Sequence, residues 1–247
     1  MPLIGLVTAF CAHGYEARML LKNVEIDSIE ITELPLLGIC LNLEGDSLVY
    51  LDDPELPVLH LPAKTDARHI IVCDSSLYVA VGAAVYADTC TTPLIVLDNE
   101  QFRLYPATES TFYVCTADSA FTNLILVDPS HGAYSVVGDF DFEIDKIVAN
   151  DVHTFALTGD QIVALGAGSQ YVTLYQGDGI NDIALSPIGM LIATDEGLYR
   201  SPRSSEIEMW SERPLARVWW IAPTLYVLDT KGNLMAIDGI EDKDNAE

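Results

Sequence analysis

Ile147-Val-Ala-Asn-Asp-Val-His-Thr-Phe-Ala-Leu-Thr-Gly-Asp-Gln-Ile-Val-Ala-Leu-Gly-Ala-Gly-Ser169 is the stretch whose pattern decides the fold. Its apolar runs are three or four residues long, too short for helices, and turn formers separate them: Asn150-Asp151, Gly159-Asp160 and Gly166. Short runs rich in Val, Ile and Leu, punctuated by Gly, Asn and Asp, are the signature of strands joined by tight turns. The same texture covers the chain at Val24 to Thr32, Ser47 to Leu51, Leu77 to Val81 and Leu225 to Leu228. No segment holds a helical period over three turns. Ala17 to Lys22 is the best helical candidate and is too short to stand alone.

Working outward from Ile147, the motif recurs. Gly-Ile-Cys-Leu from Gly38, Ile-Ile-Val-Cys-Asp from Ile70 and Phe-Tyr-Val-Cys-Thr from Phe112 precede it. Asp-Ile-Ala-Leu-Ser from Asp182 and Val-Trp-Trp-Ile-Ala from Val218 follow. The spacing matches one four-stranded propeller blade. The expectation is an all-β propeller of six or seven blades, with residues 1–240 as one domain and an acidic, frayed tail from Glu241 to Glu247. Aligned this way, Cys40, Cys73, Cys115, Ala149 and Ala184 share one position, where a small residue suits the narrow end of a blade. The last segment offers three strands, Val218 to Ala222, Leu225 to Leu228 and Leu234 to Ile237. Residues near the N-terminus, including Leu3 to Ala12, read as strands that complete it by pairing of the two chain ends.

Composition narrows the partners. The chain has 247 residues, 37 of them acidic and 12 basic, for a formal charge of −25. Such a protein is repelled by phosphate backbones and anionic membranes, which argues against direct nucleic-acid or membrane binding. Basic protein surfaces or cations are better matched, and solubility alone is the plainer purpose of the acid. Five cysteines without framework spacing point to buried, reduced thiols and a cytoplasmic, or also nuclear, location.

The stretch from Ile147 resembles the repeat of RCC1-like propellers, the regulator of chromosome condensation family. In that repeat His-Thr-x-Ala-Leu-Thr is followed by a turn, a strand and a glycine. Here the matching positions are His153, Thr154, Ala156, Leu157, Thr158 and Gly166. Val7-Thr8-Ala9-Phe10-Cys11-Ala12-His13-Gly14 is similar to the opening of the family. Cys11 and Asn150 stand where the family has glycines. The resemblance implies a propeller whose chain ends finish one blade. Its short, acidic members resemble the alpha-tubulin-suppressor type, which implies a small zinc-ribbon partner shared by diphthamide synthesis and the Elongator tRNA-modification pathway.

No nucleotide loop, zinc-ligand pair or nucleophile elbow is present, so no catalytic residue and no cofactor are assigned. Cys73 and Cys90, or Cys115 and His131, lack the spacing of a zinc site. His153 reads as a structural histidine that bonds neighbouring backbone. Acidic pairs fall in turns at Asp52-Asp53, Asp139 with Asp141, and Asp195-Glu196. Trp219 and Trp220 alternate across a strand, so one of them can face outward as a contact. With Trp210 and Arg217 they form the candidate protein-binding region, the plainer alternative being that both tryptophans fill the space between blades; Tyr199 and Arg200 are weaker candidates. The function this supports is a non-enzymatic interaction propeller with a protein partner on one face. Two readings stay open beside it. One is a guanine-nucleotide exchange factor for a small GTPase. The other is a calcium-dependent six-bladed lactonase, with Asn150, Asp182 and Asp195 as conceivable ligands.

Overall fold

A computed structural model describes residues 7–9, 15–24, 29–34, 38–43, 47–50, 59–60, 67–74, 76–87, 92–117, 121–203 and 206–240. The tail from residue 241 lies outside them, as do Asp52, Asp53 and Cys90.

The described elements are all strands. β1 (Val7–Ala9) and β2 (Glu16–Leu21) come first. A sheet follows of β3 (Ile29–Leu34), β4 (Gly38–Leu43), β5 (Ser47–Tyr50) and β6 (Leu59–His60). The next holds β7 (Ala67–Cys73), β8 (Ser76–Val81), β9 (Ala84–Ala87) and β10 (Ile95–Val96). β11 (Phe102–Pro106), β12 (Phe112–Ala117), β13 (Thr122–Asp128) and β14 (Ala133–Phe140) make another. β15 (Lys146–Ala149), β16 (Thr154–Thr158), β17 (Gln161–Leu165) and β18 (Tyr171–Gln176) carry the stretch quoted first. β19 (Ile180–Ser186), β20 (Gly189–Thr194), β21 (Leu198–Arg203) and β22 (Glu206–Ser211) form the fifth four-stranded sheet. β23 (Leu215–Ile221), β24 (Thr224–Asp229) and β25 (Leu234–Ile237) join β1 and β2 in a five-stranded sheet of order β1-β2-β25-β24-β23. No helix among the described residues is long and apolar enough to cross a membrane.

The chain ends therefore pair as expected. Ala17 stands opposite Ile237 and Met19 opposite Met235 in an antiparallel register. Ala17 to Lys22 is not a helix: the segment becomes β2 because both of its edges find strand partners, β1 and β25.

Two compact units make up the chain: Ser28–Thr173 is one, and Met1–Asp27 with Leu174–Glu247 is the other. In the 28–173 unit the β11–β14 sheet packs on both faces. On β12, Phe112 and Val114 enter a core with Ile71, Tyr78 and Leu104, whereas Tyr113 and Cys115 enter a second with Ile147 and Ala156. Strand alternation divides side chains between two cores, which is why these strands read as continuous apolar runs. The other unit gathers Ala17, Leu191, Leu198, Val218, Leu225 and Met235 around Trp210.

One expectation fails in register. β3 contacts β7, β7 contacts β11, and β11 contacts β15, so these are the strands by which sheets of the 28–173 unit meet. Cys73 ends β7 and Ala149 ends β15, but Cys40 and Cys115 lie one strand further out, on β4 and β12. Cys40 pairs with Thr32 and Cys115 with Arg103. The five small residues do not share a position. First and second strands of a blade are both apolar, so their runs are interchangeable in sequence.

Candidate functional site

The tryptophans singled out by sequence fill the interior. Trp210 is 2% exposed and Trp219 6%. The Trp210 ring packs against Tyr15 at a centroid distance of 5.4 Å. Trp219 stands opposite buried Tyr226 on β24. Trp220 is half buried against the core that contains Trp210, and Arg217 is half buried between buried Ala216 and Val218. Alternation along β23 does send the two adjacent indoles to opposite faces, but both faces of this sheet are covered. The structure brings Trp210 and Trp220 onto one core and presents neither Trp210 nor Trp219 to solvent.

The three conceivable calcium ligands are each engaged in separate structural bonds. Asp182 is 1% exposed. Its Oδ1 accepts the Ile183 N–H and its Oδ2 the Val218 N–H, both at 2.9 Å, tying β19 to β23. Asp195 Oδ1 accepts from Asn181 Nδ2 at 2.8 Å. Asn150 Oδ1 accepts the Val152 and His153 N–H groups at 3.0 and 2.8 Å, closing the β15–β16 turn. Among the described residues no three His, Cys, Asp or Glu side chains converge as a metal site. His153 enters its turn through its backbone, and its exposed ring lies 5.9 Å from that of Phe155.

The thiols are equally closed. Burial pushes Cys115 up to about 12 and Cys73 up to about 11, the latter assisted by the carboxylates of Asp74 and Asp128. Such thiols stay protonated at neutral pH and are poor nucleophiles there. Elsewhere Tyr199 donates to Glu196 Oε2 at 2.9 Å, and Arg200 Nε pairs with Glu208 Oε1 at 2.8 Å.

Asp128, Ser130 and His131 superficially resemble a hydrolytic triad, and their geometry excludes it. His131 Nδ1 lies 2.8 Å from Asp128 Oδ2 and 2.9 Å from Ser130 Oγ, so one ring nitrogen faces both partners. A relay needs the serine on one ring nitrogen and the carboxylate on the other. Asp128 Oδ1 also accepts from Ser130 Oγ at 2.6 Å and from the backbone of Ser130 and His131, which makes the group a cap for the β13–β14 turn. The Ser130 hydroxyl and the His131 ring hold the Asp128 carboxyl down at about 2.

What the structure exposes instead is the edge of a sheet. β14 is the outer strand of the order β11-β12-β13-β14. Its far half is covered by the β17–β18 turn: Gly168 N–H donates to the Val137 carbonyl at 3.2 Å, and Asp139 N–H to Ser169 Oγ at 2.9 Å. Beyond it the Phe142 ring meets Tyr171 edge-on at 4.9 Å. The near half is open. Tyr134 is 76% exposed and Val136 65%, with Ala133 and Ser135 also exposed. Exposed Tyr171 and Val172 begin the outer strand β18. Sequence reasoning missed this strand because Ala133-Tyr-Ser-Val-Val137 reads like any other half-buried run. Nothing local sets it apart, since buried Phe112 to Cys115 is uncharged as well.

No family model matches the sequence, and no curated protein is similar to it at a significant level. Solved structures do match. The chain is 14% identical to regucalcin, a calcium-binding protein of Agrobacterium tumefaciens, over 92% of this chain and 94% of that one, with a TM-score of 0.66. The Neurospora crassa Pan2 WD40 domain is 13% identical over 86% and 75%, with a TM-score of 0.56. An extracellular domain assigned to a one-component system of B. thetaiotaomicron is 11% identical, with a TM-score of 0.57; this chain is covered to 94% but spans only 38% of that one. With the repeated four-stranded antiparallel sheets, these similarities show an all-β propeller fold.

Proposed function

We propose that the chain is a non-enzymatic protein-interaction propeller. The observation that carries this is the open half of β14, where Tyr134 and Val136 stand in solvent on a sheet edge. Large apolar side chains exposed together on an edge mark a contact surface, since a strand edge left bare is a hazard that folded proteins otherwise blunt. The structural likeness to a WD40 domain supports the same reading at the level of fold, and function is argued from the surface.

The competing chemistries have less support. A calcium-dependent hydrolase needs free oxygens, whereas both carboxylate oxygens of Asp182, Oδ1 of Asp195 and Oδ1 of Asn150 already accept from N–H donors. The finer adaptor role, with a small zinc-ribbon partner of tRNA modification or diphthamide synthesis, draws its support from the RCC1-like resemblance alone, in its short, acidic form and its opening from Val7 to Gly14. The exchange-factor alternative draws on the same resemblance. In this reading the five-stranded sheet counts as a sixth blade beside the five four-stranded ones.

The test is affinity purification of the tagged chain from its source cell at low and moderate salt, with the captured proteins identified by mass spectrometry. A partner recovered in near-equal amount, more at low salt, supports an interaction propeller steered by its acidic charge. A zinc-ribbon protein or a small GTPase would select between the finer roles. Capture of nothing at either salt would sink the reading.

A further inference from the structure

We propose that the open edge of β14 receives an extended, lysine- or arginine-bearing segment of a partner protein, which adds to the sheet as a fifth strand. The inference rests on the interaction reading above and gives it a place and an occupant.

Three observations carry it. First, β14 is a sheet edge of eight residues, and the β17–β18 turn bonds only its far half, at Val137 and Asp139. Ala133 to Val136 continue the edge past that cover, paired to β13 through Val127↔Tyr134, Leu126↔Ser135 and Ile125↔Val136. An antiparallel edge strand uses half its backbone groups on its neighbour and turns the rest outward, which is the template for strand addition. Second, Tyr134 and Val136 are two residues apart, so they share one face of the pleat and supply adjacent apolar contacts for alternate side chains of an added strand.

Third, charge selects the occupant. Asp128 lies opposite Ala133 at the start of the open half; Asp139, on the covered half, and Asp141, just past the strand, come beyond Val136 in sequence. Lys146 is the sole lysine or arginine of residues 121–176. A cationic strand on the open half therefore lies in an acidic stretch, between Asp128 at its start and the aspartates that follow Val136 in sequence. A second copy of this chain does not fit: antiparallel self-pairing of β14 would bring its own aspartates together between two bodies of formal charge −25.

The experiment is fluorescence anisotropy of the purified full chain with a labelled peptide in which lysine alternates with valine and threonine. Two control peptides accompany it, one with a central proline and one with glutamate for lysine. The lysine peptide is expected to bind, with both controls weaker by about ten-fold or more. A proline strand lacks the N–H that a ladder needs. The Tyr134→Ser, Val136→Ser double variant is expected to bind about ten-fold more weakly at unchanged far-UV circular dichroism, because both side chains already stand in solvent. Val152→Ser, an equally exposed valine in the β15–β16 turn, should bind as wild type.

Absence of lysine-peptide binding overturns the proposal. So does equal binding of the proline peptide, which would show attraction by charge alone, or equal binding by the double variant. A dimer in solution that the double variant dissolves would assign the edge to a second copy and overturn it as well. The double variant also separates the two readings. If it still captures the wild-type partners from the cell, the interaction function stands and this edge falls. If the wild type captures none, the interaction reading itself falls.

Discussion

Gly138 and Ser169 meet where no side chain could intervene: a Cβ added at 138 would lie 2.7 Å from the Ser169 backbone nitrogen. This contact lets the β17–β18 turn settle onto the far half of β14 and divides the edge into a covered and an open part. Gly138→Ala forces backbone against Cβ, and the turn has to lift. The expected cost is about 1–3 kcal/mol, as for other overpacked sites, read from urea denaturation. Faster proteolysis at residues 166–170 should accompany it. An unchanged denaturation midpoint would mean that the turn is not held where it is described.

Asp182→Ala removes the acceptor of the buried Val218 N–H and is expected to lose about 2–3 kcal/mol, the scale of a broken hydrogen bond to a charged group. Asp182→Asn keeps one oxygen and should lose less. Because both oxygens already serve N–H donors, calcium or a chelator should leave the melting temperature of the wild type unmoved. A rise with calcium would revive the metal reading.

For Asp128 the folded carboxyl sits at about 2 against an ordinary 3.8. Its contribution is fully present above the ordinary value and disappears as pH falls through the folded one. Wild type and Asp128→Asn should therefore differ in stability at neutral pH, and the gap should close between about pH 4 and pH 2. Denaturation midpoints at several pH values measure this; a constant gap would show that the turn cap is not electrostatic.

Thiol chemistry separates buried from accessible cysteines. Cys73 and Cys115, held at about 11 and about 12, should resist iodoacetamide at pH 8 in the native protein and react once it is unfolded. Peptide mapping reads each site separately. Rapid native labelling of Cys115 would contradict its burial.

The three tryptophans give an optical check. With Trp210 and Trp219 buried and Trp220 half buried, emission should be blue-shifted and poorly quenched by acrylamide. A red-shifted, readily quenched spectrum would restore this region as an exposed contact.

Strands and turns were legible because their causes are local. Gly159-Asp160 between Thr154–Thr158 and Gln161–Leu165 forms the hairpin that its residues dictate, with Gly159 at a φ of +55° where a side chain would be strained. The recurrence of such units along the chain was enough to expect blades, and the greasy segments near both termini were enough to expect their pairing. What sequence misplaced was the shared register of the small residues, and what it left open was exposure, which a blade's neighbours set. Trp219 and Trp220 alternate as any strand does, but whether an outward face meets water depends on what lies against the sheet.

The same limit hid the candidate site. Ala133 to Val137 and Phe112 to Thr116 are equally apolar, yet Phe112 to Cys115 are enclosed by neighbouring sheets while Tyr134 and Val136 stand free at an edge. By itself the sequence determined the class of element, the turn positions, the acidic charge and the blade-like repeat, all consequences of interactions between residues close along the chain. Tertiary structure alone decided which strand is outermost, which half of β14 the distant turn at Gly168 and Ser169 covers, and which carboxylates are spent on N–H donors. Those outcomes depend on packing and hydrogen bonds between residues remote in sequence, and a local pattern carries no record of them.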